Sequence, residues 1–315
     1  MNIVAPARSP FMLKEMIEAG ANEVYIGLKP KSLRKLSFDG RFQTVADYPA
    51  HVEDEETLES MVKFAKRDGI KVAFMANPIL LPRDYEDEYK RHVATAVEIG
   101  VDFVTVSSLQ CARIIRKAGI TVPLIAGSSF SLLNRGALRM LKDWGFERAN
   151  VPHSISIEEL AGWKEEGLQL QMTGNFGSGS VPGLCRLWES PNNLEMGDGT
   201  RSVYRLTLPN GGTLDQSSFL DAATDCSLCS LRELEQAGIS SIKLIGREAP
   251  NPSTLAVVID LFRQWLDMES EGKPVSKKIE VMEREMLMWT MKWVPRFCDK
   301  QRCTYLATPV TNSYV

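Results

Sequence analysis

Apolar residues along this chain follow two alternating patterns. Short apolar runs bounded by glycine, proline or charge are followed by longer segments with apolar residues at helical spacing. The runs Ile3–Pro6, Glu23–Leu28, Lys71–Pro78, Asp102–Ser107, Val122–Gly127, Arg148–Pro152, Leu168–Thr173 and Ser241–Gly246 predict strands. A helix is predicted after the first strand, with Ser9 as its cap, Pro10 at its first position and Gly20 as its stop. Further helices are predicted over Leu58–Lys66, Tyr85–Ile99, Leu109–Ala118, Arg135–Trp144, Ile157–Glu165, about Cys226–Gln236 and Ser253–Met268. The pairs Ala19-Gly20, Ile99-Gly100, Ala118-Gly119 and Ala237-Gly238 mark helix ends. Two stretches stay without periodicity: a Lys-, Arg-, Pro- and Asp-rich insert from Lys29 to about Asp54, and a long irregular segment from Gly174 to about Thr224.

Eight strands, each followed by a helix, predict an α/β fold, a (β/α)8 TIM-like barrel over residues 1–270. A doubly wound open sheet is the competing arrangement, because alternation alone does not close a sheet. Residues 271–315 fall outside the repeat and predict a C-terminal helical, cysteine-containing tail packed on the barrel. Within it, Val281–Trp293 carries Met282, Met286, Leu287, Trp289, Met291 and Trp293. That apolar side is read as barrel-facing, with a partner interface as the alternative.

Composition narrows the class. The chain has 315 residues, 44% of them hydrophobic, enough for one large domain or two small ones. Its 37 basic and 40 acidic side chains leave a net charge of −3, against the basic excess of a nucleic-acid binder. The N-terminus enters a strand at once, without the charged and apolar regions of a signal peptide. No stretch has the length of a membrane span. The expectation is a cytoplasmic protein, where thiols stay reduced and clustered cysteines favour metal binding or catalysis.

Five of the six cysteines lie after residue 180: Cys185, a C-x2-C pair at Cys226 and Cys229, and a second pair at Cys298 and Cys303. Four thiolates complete the ligand set of a [4Fe–4S] cluster or of tetrahedral Zn2+, and spacing does not choose between them. In a barrel, Cys185, Cys226 and Cys229 all fall in the connection after the seventh strand, on the face that carries barrel active sites. Cys298 or Cys303 reaches that face only if the tail crosses the barrel mouth. Cys111, at core spacing with Ile114 and Ile115, is read as a buried thiol.

Other candidates are polar residues near the C-terminal ends of strands. Arg247 follows the eighth strand, where a guanidinium can hold a carboxylate, or pair with Glu248 instead. Lys243 alternates with Ile242 and Leu244 and is expected to point into the barrel. Asn77 ends the third strand and His153 the sixth; with Arg247 they are the catalytic candidates. Tyr25 fits either the site or the core. His92, mid-helix, is assigned to the surface. The glycine-rich Gly174–Gly183 lacks a P-loop pattern and is read as letting the chain pass close to a cluster. Neither H-E-x-x-H nor G-x-S-x-G occurs, which leaves a protease reading without a motif.

Three segments carry a resemblance: "IVAPARSPFMLKEMIEAGANEVYIGLK" from Ile3 to Lys29, "FGSGSVPGLCR" from Phe176 to Arg186, and "CSLCSLRELEQAGISSIKLIGRE" from Cys226 to Glu248. Together they resemble the peptidase U32 family, which includes the ubiquinone-hydroxylation proteins UbiU and UbiV and RNA-hydroxylation proteins of the same fold. The resemblance implies a TIM-like barrel holding a four-cysteine [4Fe–4S] cluster. It also implies oxygen-independent hydroxylation, or a related redox reaction, of a small aromatic or quinone-type substrate. Implied alternatives are prephenate-dependent hydroxylation of tRNA or rRNA bases, a cluster-bearing scaffold in a heterodimer with a second U32-type protein, and peptidase activity. On this reading Cys185, Cys226 and Cys229 are ligands and Cys298 or Cys303 is the fourth. The competing set is the two pairs alone, and a structural Zn2+ is the competing metal. The chain departs from the family pattern at Ile245, where the signature is acidic, and in its C-x4-C tail pair.

Overall fold

A computed structural model of the chain describes residues 1–31, 38, 44–45, 48–78, 81–152, 155–175, 204–207, 211, 213–216, 227–247 and 251–274. Eight parallel strands form a closed barrel: β1 (Asn2–Ala7), β2 (Glu23–Ile26), β3 (Lys71–Met75), β4 (Phe103–Val106), β5 (Leu124–Ala126), β6 (Phe146–Val151), β7 (Gln169–Thr173) and β8 (Ile239–Lys243). Each strand pairs with its neighbours in sequence. The ring closes where β1 pairs with both β2 and β8, with Val4 opposite Glu23 and opposite Lys243. The open-sheet alternative is thereby excluded.

Helices α1 (Pro10–Glu18), α2 (Glu55–Arg67), α3 (Glu86–Ile99), α4 (Leu109–Lys117), α5 (Arg135–Asp143), α6 (Ile157–Ala161), α7 (Leu231–Gln236) and α8 (Pro252–Ser270) follow the strands in turn. Their starts are built from short polar side chains. Ser9, Asp54, Ser108, Asn134 and Ser156 each accept a hydrogen bond from a backbone N–H in the first turn, satisfying a donor that the helix itself leaves open. At the other end, Gly100 closes α3 at φ 101°, donating to the Ala96 and Val97 carbonyls in a conformation that other residues reach only with strain.

Strand parity divides the interior into two layers. Ile3, Val24, Ile26, Val72, Phe74, Val104, Leu124, Leu170 and Ile242 face the helices and form the main core with Met12, Met16, Leu58, Leu138, Phe262 and Trp265. The alternate positions line the barrel axis. Val4, Tyr25, Ala73, Met75 and Ile125 make a small apolar cluster there, beside Glu23, Arg148, Asn150, Gln171 and Ser241, all buried.

Several expectations change. The insert after β2 contains an antiparallel pairing of Thr44–Val45 with Tyr48–Pro49, and Val52 bridges Leu28 in parallel. The segment read as irregular after β7 contains an antiparallel ribbon, Tyr204–Thr207 with Thr213–Gln216. Helix α6 is shorter than expected and is followed by a 3-10 turn at Lys164–Glu166, while a 3-10 turn at Leu228–Ser230 precedes α7. His92 is buried: it lies on the inner stripe of α3 with Tyr89, Val93 and Ala96, 5.2 Å from the Phe38 ring and 5.1 Å from the Phe74 ring. The insert residue Phe38 packs against the imidazole, at 61° between ring planes. Among the described residues no helix is long and apolar enough to cross a membrane. The expected tail helix 281–293 lies outside the described residues.

Candidate functional site at the barrel mouth

The floor of the barrel is ionic. Arg148 on β6 reaches across the axis, its Nη1 2.7 and 2.9 Å from the two Glu23 carboxylate oxygens on β2 and 3.2 Å from Gln171 Oε1 on β7. Gln171 in turn donates to Asn150 Oδ1 at 3.2 Å. The Arg148 guanidinium also lies over the Phe103 ring at 4.7 Å. A charge that deep is sustained only by such pairing. This network ties β2, β6 and β7 together beneath the site.

Above it, toward the C-terminal ends of the strands, cations collect around one aromatic ring. The Tyr25 hydroxyl donates to the Leu244 carbonyl at 3.1 Å, past the edge of β8. That bond holds the ring against the Lys243 ammonium, 4.2 Å from its centroid, and the Arg247 guanidinium, 5.6 Å away. Lys243 Nζ also lies 3.9 Å from Met75 Sδ. Arg8, just after β1, donates from Nη1 to the Arg247 carbonyl. Arg247 is buried, whereas Lys243 and Arg8 are half-buried. Three positive side chains therefore share the β1–β8–β2 side of the mouth. The inward direction of Lys243 follows from the alternation read in the sequence, and Tyr25 belongs to the site and the axial core at once.

The continuation of β8 is held open for this arrangement. Gly174, the residue after β7, donates to the Lys243 carbonyl at 2.9 Å, and Asn175 clasps Ile245 through both amide atoms, at 2.6 and 2.9 Å. Ile245 sits where the resembling signature has an acidic residue, and its backbone is fixed by that clasp. Gly174 has no room for a side chain: a Cβ there would overlap Ile242 Cγ2 and lie 3.1 Å from Ser227 Oγ.

Ser227 docks on the same point. Its N–H and hydroxyl both donate to the Gly174 carbonyl at 3.2 Å, and the residue is fully buried. Two residues on, Cys229 is exposed on the Leu228–Ser230 turn, at the C-terminal end of β7 and next to β8. The other cysteines of the expected ligand set, Cys185, Cys226, Cys298 and Cys303, lie outside the described residues, as does His153. Among the described residues no group of three or more His, Cys, Asp or Glu side chains gathers that could hold a metal ion. The fit to a cluster therefore rests on the soft thiolate donor chemistry of the five cysteines and on the docked turn that presents Cys229. Cys111 is buried in the layer between barrel and helices, its Sγ 3.6 Å from Ser107 Oγ.

Asn77 lies on the inward parity of β3, half-buried, with its Nδ2 facing Gly127 at the end of β5. Sequence reasoning missed Glu23, Arg148 and Asn175. The first two carried a signal, since each is a charged residue at a barrel-facing strand position. Asn175 carried none.

Comparison with known proteins bears on the fold and on the family. A solved U32 peptidase, Mk0906, superposes with a TM-score of 0.50 at 13% identity, covering 78% of this chain and 93% of that one. The octameric ribulose-1,5-bisphosphate carboxylase/oxygenase of Pyrococcus horikoshii gives a TM-score of 0.50 at 10% identity, covering 93% of this chain and 66% of that one. At these identities both likenesses are of barrel fold. No curated protein matches the chain in sequence. The family model for peptidase family U32 matches residues 9–292, from the cap of α1 through β2 to β8 and the docked cysteine turn, so the chain belongs to the peptidase U32 family.

Proposed function

We propose that this chain is a U32-type iron–sulfur protein that carries out oxygen-independent hydroxylation, or a related redox modification, of a small carboxylate-bearing aromatic or quinone-type substrate at the barrel mouth. One juxtaposition supports the reading best. The Cys229 turn is docked on the end of β7, and the Lys243–Tyr25–Arg247 cluster stands on the adjoining β8 side of the same mouth. Cys185, Cys226, Cys229 and one of Cys298 and Cys303 would hold the cluster. When bound, it supplies one-electron transfer. The chain's own residues do the rest. Lys243 and Arg247 attract a carboxylate, the Tyr25 ring offers an aromatic wall, and the buried Arg148–Glu23 floor keeps the strands that carry them in place.

Anaerobic purification followed by absorption spectroscopy and iron, sulfide and zinc analysis tests the reading. A brown protein with roughly four irons per chain is expected. A colourless protein with about one zinc would overturn the redox part and leave a structural metal clip. Retention of RNA in a gel shift would favour the RNA-modifying alternative, and co-purification of a second barrel protein the heterodimeric scaffold.

A further inference from the structure

Asn77 is held more firmly than a loop residue needs to be. Its two neighbouring carbonyls are each taken by a buried hydroxyl: Tyr89 on α3 donates to Ala76 at 2.6 Å, and Ser107, after β4, donates to Pro78. The Ala76 N–H meanwhile donates to Thr105 at 2.9 Å, extending the β3–β4 pairing by one residue. Burial pushes the Tyr89 phenol well above its ordinary range, with Cys111 adding to the effect, so this donor keeps its proton. The backbone of Asn77 is thus clamped from both sides before any ligand arrives.

Its amide is treated differently. Asn77 Oδ1 is enclosed and has no hydrogen-bond partner among the described residues. On its other side the amide meets Gly127, where a Cβ would lie at ordinary contact distance, 3.7 Å, from Asn77 Nδ2 and 3.0 Å from the Val106 carbonyl. An enclosed acceptor without a donor is costly to keep, and native proteins retain few of them. With the backbone clamped at the end of a barrel strand, the face that carries barrel active sites, a donor brought by a ligand would satisfy it without moving the main chain.

Met75 and Asn77 share the inner face of β3, one two-residue step of about 6.6 Å apart. Met75 touches the Lys243 ammonium. The acceptor therefore stands one step along the same inner face from the residue that the Lys243 ammonium touches. We infer that Asn77 is a specificity residue whose Oδ1 accepts a hydrogen bond from an O–H or N–H on the substrate. The substrate class is then a small carboxylate with a hydrogen-bond donor at its far end. This inference rests on the anion site proposed above.

The test compares matched acids by calorimetry on the holoprotein: benzoate with 4-hydroxybenzoate, butyrate with 4-hydroxybutyrate, and 3-phenylpropionate with 3-(4-hydroxyphenyl)propionate. In the wild type at least one hydroxylated acid is expected to bind about tenfold tighter than its partner. Asn77→Leu should erase that preference while still binding the plain acid, and Lys243→Met should weaken both. Equal binding of both members of every pair by the wild type overturns the role of Asn77 and leaves the anion site standing. Binding of none of the acids overturns both. The wild-type comparison needs no variant to fold, and retained binding of the plain acid shows that Asn77→Leu has folded.

Discussion

Arg148 and Glu23 are 125 residues apart in sequence and form a closed ion pair inside the barrel, both side chains 5% exposed. Removing one partner strands the other charge away from water. Arg148→Met or Glu23→Gln should each cost about 3–5 kcal/mol. The double replacement should cost clearly less than the sum of the two, because neither residual charge is then left buried alone. Chemical denaturation of the four proteins measures this directly. Strictly additive losses would mean that the pair is not coupled.

The outline of the barrel was legible because both periodicities were strong. Apolar runs gave the eight strands, and polar caps and terminal glycines bounded the helices between them. Lys243 could be placed inward from its alternation with Ile242 and Leu244, and Cys111 in the core from its spacing with Ile114 and Ile115. Long-range pairings were not legible. Nothing local to Glu23 names Arg148 as its partner, and nothing near Asn175 announces the clasp on Ile245. The ribbon Tyr204–Thr207 with Thr213–Gln216 lacks a sustained apolar alternation. His92 looked like a surface residue because a ring packed against it, Phe38, comes from an aperiodic insert. The cysteines raise the expectation of a ligand chemistry, and Cys229 alone among the expected ligands falls on described residues.

Gly174 links the strand ladder to the cysteine turn. A methyl group there must displace Ile242 and press on Ser227. Gly174→Ala is expected to destabilise the protein by about 1–3 kcal/mol, as overpacking does in a close-packed core. On the proposed cluster reading it should also lower iron content in anaerobic preparations, because Ser227 docks the Leu228–Ser230 turn that carries Cys229. Normal stability and iron content would show that the ladder end yields without cost.

Glu166 gives a prediction for acid. Its carboxylate accepts from Arg139 at 2.9 and 3.0 Å and from Arg135 at 2.7 Å. Those bonds, Arg139 first, hold its pKa down at about 2 against an ordinary 4.5. A depressed carboxylate contributes stability that is fully present above the unfolded value and is lost as pH falls through the folded one. The α5-to-Glu166 contact should therefore weaken between about pH 4.5 and 2. Glu166→Gln should flatten this part of the wild-type stability profile. An unchanged acid limb in the variant would assign the acid sensitivity to other carboxylates.

Cys229 and Cys111 offer a matched contrast within one chain. Both are thiols in the described part of the fold, but one is exposed on a turn at the barrel mouth and the other is sealed between strands and helices. Replacing an exposed thiol by serine leaves packing intact and removes a soft donor, so on the proposed cluster reading Cys229→Ser should retain the fold and lose much of the iron and the visible absorption. Replacing a buried small hydrophobe opens a modest cavity, so Cys111→Ala should cost on the order of 1 kcal/mol and leave iron unchanged. Circular dichroism, thermal unfolding and metal analysis on the two variants separate the effects. Iron loss in Cys111→Ala at full stability would move the ligand set away from the mouth. Full iron in Cys229→Ser would exclude that residue from it and favour ligands drawn from Cys185, Cys226, Cys298 and Cys303.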